Sequence, residues 1–152
     1  MGCDIHLFIE KRDKGSKKWV RVNKTLPVDT EKDICYCDNL DDDEELCSCC
    51  KDSSIHIPRC YALFTILAGV RDYDYKPISE PRGLPKDISE ELKDCIYDHA
   101  EHSFSYHTLH VLKKYKWEYD FDVFSDIVMP MLEKIAEEVG DKNVRIVFGF
   151  DN

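Results

Sequence analysis

The sequence predicts a single α+β domain, in which a small, mostly antiparallel sheet is packed by about four helices. Both ends of the chain alternate apolar and polar residues with the period of a strand, while the middle repeats apolar residues at helical spacing. A length of 152 residues suits one domain with one core. Strands at both ends with helices between them favour a sheet in which the N-terminal and C-terminal strands are neighbours.

The first 23 residues predict a β-hairpin. Ile5, Leu7 and Ile9 occupy one side of an alternating run, and Asp4, His6, Phe8 and Glu10 occupy the other. Residues 13–16 read Asp-Lys-Gly-Ser, which is typical of a turn, and residues 18–22 alternate again. Two alternating runs joined by a short turn form a hairpin.

Residues 24–60 predict an inserted loop or a small metal-bound lobe. Hydrophobic residues are sparse there, and residues 38–45 hold six acids. The segment also offers seven thiol or imidazole ligands, whereas a tetrahedral structural zinc ion needs four, and such an ion would replace the missing core. The alternative is a flexible loop with reduced thiols. The candidate zinc ligands are Cys35, Cys37, Cys47, Cys49, Cys50, His56 and Cys60.

The middle of the chain predicts four helices, because apolar residues recur there every three or four positions or follow typical capping residues. The longest helix has one apolar stripe that ends at Gly140, and Pro130 within it predicts a kink. The predicted spans, caps included, are residues 61–70, 87–97, 108–115 and 121–139.

Two loops and a last strand complete the predicted domain. Prolines at positions 77, 81 and 85 restrict the backbone and predict a rigid, extended connection between helices. We interpret residues 102–105 as a loop that precedes the third helix. Residues 144–150 alternate, with apolar side chains at every second position, and predict the terminal strand.

The charge and the N-terminus exclude several classes of protein. Lys and Arg number 21 against 31 Asp and Glu, and the net charge of −10 has the wrong sign for non-specific nucleic-acid binding. The longest apolar run is too short for a membrane span. The N-terminus lacks the apolar region of a signal peptide, so we expect a cytoplasmic protein with reduced or metal-bound thiols. The sequence patterns of common nucleotide hydrolases and proteases do not occur.

Five sequence blocks resemble a family of small proteins from bacteriophages and other large DNA viruses. The first block reads Met-Gly-Cys-Asp-Ile-His, and the third contains Pro-Ile-Ser-Glu-Pro-Arg-Gly-Leu-Pro. The resemblance implies a viral origin and the cytoplasm of an infected cell, but no particular activity. Cys60 and Gly149 depart from the family pattern, which otherwise has a small polar residue and a bulky aromatic residue there. The blocks are residues 1–6, 61–71, 77–85, 102–109 and 144–152.

The two ends of the chain carry a candidate metal site. Asp4 and His6 are separated by two strand residues, about 6.6 to 6.8 Å between Cα atoms, so both side chains can reach one ion. Asp151 follows the terminal strand, and His102 lies in the predicted loop. Carboxylate and imidazole ligands together suit a divalent ion, Zn or Mn/Mg, that assists hydrolysis. The alternative is a solvated strand face.

The proline-braced connection carries a candidate anion site. A guanidinium held by this loop, that of Arg82, presents two parallel donors to a phosphate or carboxylate. Glu80 is the candidate general base, and His102 is the second candidate catalytic residue. The alternative is an ion pair between Glu80 and Arg82 that fastens the loop. The other candidate ligand-binding residues are Ser103, Ser105 and Tyr106, for which backbone capping and core packing are the alternatives.

Three functions follow as hypotheses. The first is metal-assisted hydrolysis of a phosphate-bearing nucleotide or related small molecule. The second is a sponge, a homo-oligomer that sequesters a host nucleotide signal without turnover. The third is an inhibitor of a host protein, in which the acids of residues 38–45 meet a basic partner surface. All three interpret His99, His107 and His110 as surface or packing histidines.

Overall fold

The computed structural model describes residues 2–22, 57, 59–71, 75–118, 121 and 123–151. The acidic run of residues 38–45 therefore lies outside the described residues. The same holds for every candidate zinc ligand except Cys60, which directly precedes the first helix. The predicted zinc lobe stays a prediction.

Four antiparallel strands form one sheet in the order β2-β1-β4-β3. The first and last strands of the chain are its two central strands, which confirms that the chain ends are neighbours. Their register pairs Asp4 with Asp151 and His6 with Gly149. The hairpin predicted for the first 23 residues is also confirmed. The strands are β1 (Asp4–Arg12), β2 (Trp19–Val22), β3 (His102–Thr108) and β4 (Val144–Asp151).

The four predicted helices are confirmed, with shorter bounds. Gly69 ends the first helix at a φ of 69°, a left-handed conformation that glycine adopts without strain. The Thr108 hydroxyl caps the third helix by accepting from the Val111 N–H. No helix in the described part of the chain is long and apolar enough to cross a membrane. The helices are α1 (Tyr61–Ala68), α2 (Glu90–Ile96), α3 (Leu109–Lys114) and α4 (Met129–Val139).

Near Pro130, where the sequence predicts a kink, the helix contains a π-helical turn over Phe124–Val128, immediately before α4. The Met129 N–H donates to the Phe124 carbonyl, five residues back. In a regular helix the ring of Pro130 would clash with the carbonyl four residues earlier, and a widened turn relieves that clash.

The sheet buries both of its faces, but with different partners. On its first face, Leu7 and Phe148 belong to the main core together with side chains of α1 and α4, such as Phe64 and Leu132. On its second face, α2 covers only part of the sheet. The small second core there consists of Phe8, Leu92, Ile96 and Val147. The uncovered part of the second face carries Asp4, His6 and Asp151, because strand alternation places all three on that side.

The predicted loop at residues 102–105 is wrong, because these residues belong to β3. The error has a physical cause. Ser105 and His107 point to the main core and are fully buried, so this strand presents polar side chains where the pattern calls for apolar ones. Hydrogen bonds satisfy both side chains, which removes the cost of burying them. A register irregularity between His102 and Ser105 further obscures the alternation.

Candidate functional site

The two ends of the chain meet in a contact between His6 and Asp151. The Nε2 atom of His6 lies 2.6 Å from Oδ2 of Asp151. The two side chains are 22% and 34% exposed, so they are held in place and still accessible to a small molecule. This pair forms the centre of what we call the terminal-strand site. Its residues are Asp4, His6, Arg59, His99 and Asp151.

Arg59 holds Asp4 in a bidentate ion pair. Its Nε and Nη2 atoms donate to Oδ1 and Oδ2 of Asp4, each at 3.0 Å. These hydrogen bonds, and then the charge of Asp4, raise the pKa of Arg59. Gly2 leaves room for this position of the guanidinium, because a Cβ atom there would lie 2.0 Å from Nη1 of Arg59. A side chain at residue 2 would therefore force the end of the Arg59 side chain to move.

His99 is a member of the site that the sequence did not reveal. Its backbone N–H donates to the Ile96 carbonyl in the last turn of α2. That turn places the His99 ring 6.1 Å from the ring of His6 and 5.7 Å from the ring of Phe8, measured between centroids. Burial, followed by the charge of His6, lowers the pKa of His99. The sequence offered only its spacing of three from His102 as a signal.

Gly149 allows the turn that carries His99 to pack against the sheet. A Cβ atom at Gly149 would lie 2.7 Å from Cδ1 of Phe104 and 2.8 Å from Cβ of Ala100. Both distances are too short, so any side chain at Gly149 would push Ala100 away. Since Ala100 directly follows His99 and Gly149 pairs with His6, this glycine sets the distance between the two imidazoles.

The structure brings together part of the predicted metal site. Asp4, His6 and Asp151 share the second face, but Arg59 occupies both oxygens of Asp4. His102 lies on the other face, where its ring stacks on Phe150 at 6.2 Å. Its Nδ1 lies 2.9 Å from the hydroxyl oxygen of the adjacent serine. Within the described ranges, no group of three or more His, Cys, Asp or Glu residues is arranged to hold a metal ion.

The structure places the predicted anion site elsewhere. Arg82 lies over the ring of Tyr106 at 4.1 Å, and its Nη2 donates to the Tyr106 carbonyl. Tyr106 pairs with Val147, four residues before Asp151, which corresponds to about 14 Å along the strand. Glu80 is exposed beside Gly69. The described residues contain no ion pair between Glu80 and Arg82, so neither the predicted clamp nor the predicted base reaches the terminal-strand site.

His107 forms a buried connection between Arg82 and α1. Its Nε2 lies 2.7 Å from the Leu67 carbonyl and therefore carries the proton, while Nδ1 accepts from Nη2 of Arg82 at 3.2 Å. The pKa of His107 is lowered to about 4, mainly by burial and to a smaller extent by the charge of Arg82, while the hydrogen bond to the Leu67 carbonyl opposes the shift. The neutral ring is thus a structural element, consistent with the interpretation of His107 as a packing histidine.

A groove of about 350 Å³ lies at the opposite end of the sheet. It contains no imidazole, and its one carboxylate, Asp13, accepts from the N–H and the hydroxyl of Ser16. The groove therefore has positive charge but no group arranged for proton transfer, so we place the candidate chemistry at the terminal-strand site. The groove is lined by Arg12, Asp13, Lys14, Lys17, Val139 and Asn143.

Comparisons of this chain with protein-family models, with curated proteins and with solved structures found no match.

Proposed function

We propose that the protein binds a phosphate-bearing small molecule, such as a nucleotide, at the terminal-strand site and hydrolyses its phosphoester bond. The contact of 2.6 Å between His6 and Asp151 carries the proposal. A carboxylate that orients an imidazole is the arrangement that general acid and base catalysis uses. The resemblance to bacteriophage and viral proteins adds that the reaction would take place in the cytoplasm of an infected cell.

The charges around the site support an anionic ligand. The protein has a net charge of −10. At this site, however, two arginines and two histidines lie near only two carboxylates, those of Asp4 and Asp151. Arg21 lies 5.1 Å above the ring of Phe8, which in turn contacts His99. Arg59 lies at the other side, on Asp4. A phosphate bound among these groups would accept charge-assisted hydrogen bonds, which are about twice as strong as neutral ones.

A divalent cation at this site would take its ligands from Asp4, His6 and Asp151. These side chains supply the oxygen and nitrogen ligands that Mn or Zn accepts, and the cation would polarise the phosphoryl oxygen. Because both oxygens of Asp4 accept from Arg59 in the structure, a cation on Asp4 would compete with the guanidinium for the carboxylate. In this proposal, metal binding weakens the ion pair between Asp4 and Arg59, and the ion pair weakens metal binding.

The binding test is a titration of the full chain with adenosine 5′-monophosphate, followed by the NMR signals of the histidine rings. We expect the signals of His6 and His99 to shift. His110 serves as the internal control, because it lies on α3, beyond the end of β3 that is distant from Asp151. His6→Asn should weaken binding at least about tenfold, since it removes a charged hydrogen bond. His110→Asn should not.

The turnover test follows the release of 4-nitrophenolate from 4-nitrophenyl phosphate and from its diester, with and without Mn²⁺. The proposal requires that at least one ester is cleaved and that His6→Asn and Asp151→Asn abolish the cleavage. Recovery of intact adenosine 5′-monophosphate and both intact esters would refute hydrolysis and favour the sponge. Histidine signals that do not respond to any of these compounds would refute the proposal as a whole.

A further inference from the structure

The imidazole rings of His6 and His99 face each other in the terminal-strand site. Their ring centroids are 6.1 Å apart, with planes inclined by 35°. A charge-assisted hydrogen bond from a ring nitrogen to a phosphate oxygen spans about 2.8 Å. Rings at this separation lie close enough for one bound phosphate group to contact both of them. The predicted functions used neither His99 nor this pairing.

From this geometry we infer that His99 is a second catalytic residue and that the site cleaves phosphodiesters with His99 as the general base and His6 as the general acid. The inference rests on the proposed function and specifies its chemistry. As water attacks phosphorus, His99 takes the proton of the water and a new P–O bond forms. The P–O bond to the leaving group breaks, and His6, protonated beside Asp151, donates its proton to the leaving oxygen. The products are a phosphomonoester and an alcohol.

The assignment of the two roles follows from the surroundings of each ring. His6 has the Asp151 carboxylate at 2.6 Å, which supplies the countercharge for an imidazolium. His99 has no carboxylate at this distance among the described residues, and it packs on the apolar ring of Phe8. A ring in apolar surroundings and without a countercharge is the one suited to accept a proton.

The negative charges of the site and of the whole protein define the class of substrate. Asp4 and Asp151 repel a phosphomonoester dianion more strongly than a phosphodiester, which carries a single negative charge. The net charge of −10 also disfavours long nucleic acids. The substrate that fits is therefore a small diester, such as a nucleoside cyclic phosphate or a dinucleotide. A diester needs protonation of its leaving oxygen, which is the role of His6.

The experiment measures cleavage of bis(4-nitrophenyl) phosphate by the full chain in the presence of EDTA. We expect cleavage to persist in the chelator, and His99→Gln to lower kcat at least about 100-fold, as for loss of a general base. His99→Phe keeps an aromatic ring against Phe8 and should lose the same activity. His110→Gln removes a histidine outside the site and should retain full activity.

The inference and the proposed function fail in different ways. Equal diester cleavage by wild type, His99→Gln and His99→Phe would overturn the inference. The inference would also be overturned if the protein cleaved 4-nitrophenyl phosphate but not the diester, and if that cleavage required Mn²⁺ together with Asp4, His6 and Asp151. In both cases the proposed phosphoester hydrolysis would stand. If the wild-type protein cleaves neither ester, the proposed function fails together with the inference. Unfolding curves of both His99 variants separate loss of chemistry from loss of fold.

Discussion

Arg145 and Glu10 form a buried ion pair across the two central strands. Both Nε and Nη2 of Arg145 donate to Oε1 of Glu10, at 2.9 and 2.6 Å. Glu10 is fully buried and Arg145 is 3% exposed. The guanidinium also lies 3.8 Å from the centre of the Trp19 ring, and Asp87 accepts from its Nη1. Glu10 and Arg145 are register partners in β1 and β4, the same two strands whose pairing brings His6 and Asp151 together.

Glu10→Gln should lower the free energy of unfolding by about 3 kcal/mol, since it removes the carboxylate charge that balances a buried guanidinium. Asp87 remains as a partner and limits the loss. The measurement is urea denaturation at pH 7. Asp141→Asn breaks the ion pair with Lys113, whose side chain is 48% exposed, and should cost about 0 to 1 kcal/mol. Equal effects of both variants would contradict this prediction.

Gly149→Ala should destabilise the protein by about 1 to 3 kcal/mol, because its methyl group would overlap Phe104 and Ala100. It should also separate the rings of His6 and His99 and reduce any cleavage activity. Thermal unfolding gives the first effect, and ester cleavage gives the second. Gly15→Ala is the matched control. Its methyl group would lie 3.4 Å from Asp13, an ordinary contact, so stability should change by less than about 1 kcal/mol.

The sequence predicted the architecture because its apolar patterns are periodic. Alternation at the two ends and the stripe of α4 were sufficient to place the terminal strands side by side. The wrong prediction of a loop at residues 102–105, which belong to β3, shows where apolar periodicity fails to predict structure. Ser105 and His107 are buried because partners from distant segments, the Arg82 N–H and the Leu67 carbonyl, satisfy them. Hydrogen bonds between segments 23 and 40 residues apart leave no local pattern.

The site was predictable where strand alternation decides it. Asp4 and His6 share a face by periodicity, and the pairing of the terminal strands brings Asp151 to them. His99 and Arg59 could not be predicted in the same way. His99 is positioned by the turn that follows α2, and Arg59 by the segment before α1. The place of both residues in the site depends on tertiary packing.

Gly2→Ala should increase the affinity for Mn²⁺ several-fold. The new Cβ atom would displace the guanidinium of Arg59 and so release Asp4 for the metal. Arg59→Gln should have the same effect, while Asp4→Asn should abolish binding outside the cysteine-rich segment. Electron paramagnetic resonance of free Mn²⁺ measures all three. An affinity that is the same in wild type, Gly2→Ala and Arg59→Gln would show that Arg59 does not compete with the metal.

Acid should destabilise the fold through His107. Its pKa is lowered from 6.5 to about 4 on folding, so between these values the unfolded chain binds the proton more readily. The contribution of His107 to the free energy of unfolding is complete above about pH 6.5 and is lost as the pH falls to about 4. The total loss is about 3 kcal/mol. His107→Gln keeps a donor for the Leu67 carbonyl and should flatten this part of the stability profile. Parallel profiles for the two proteins would contradict the prediction.

Arg82→Ala should affect stability and the titration of His107, but not phosphate binding at the terminal-strand site. The guanidinium stacks on Tyr106 and donates to His107, so its loss should cost about 1 to 2 kcal/mol. Because the charge of Arg82 lowers the pKa of His107, that pKa should rise in Arg82→Ala and stay low in Arg82→Lys. Histidine NMR titrations measure the pKa, and adenosine 5′-monophosphate titrations measure binding. Weaker binding in Arg82→Ala with unchanged stability would instead support the phosphate clamp that the sequence suggested, and would require the proline-braced connection to approach the chain ends when a nucleotide binds.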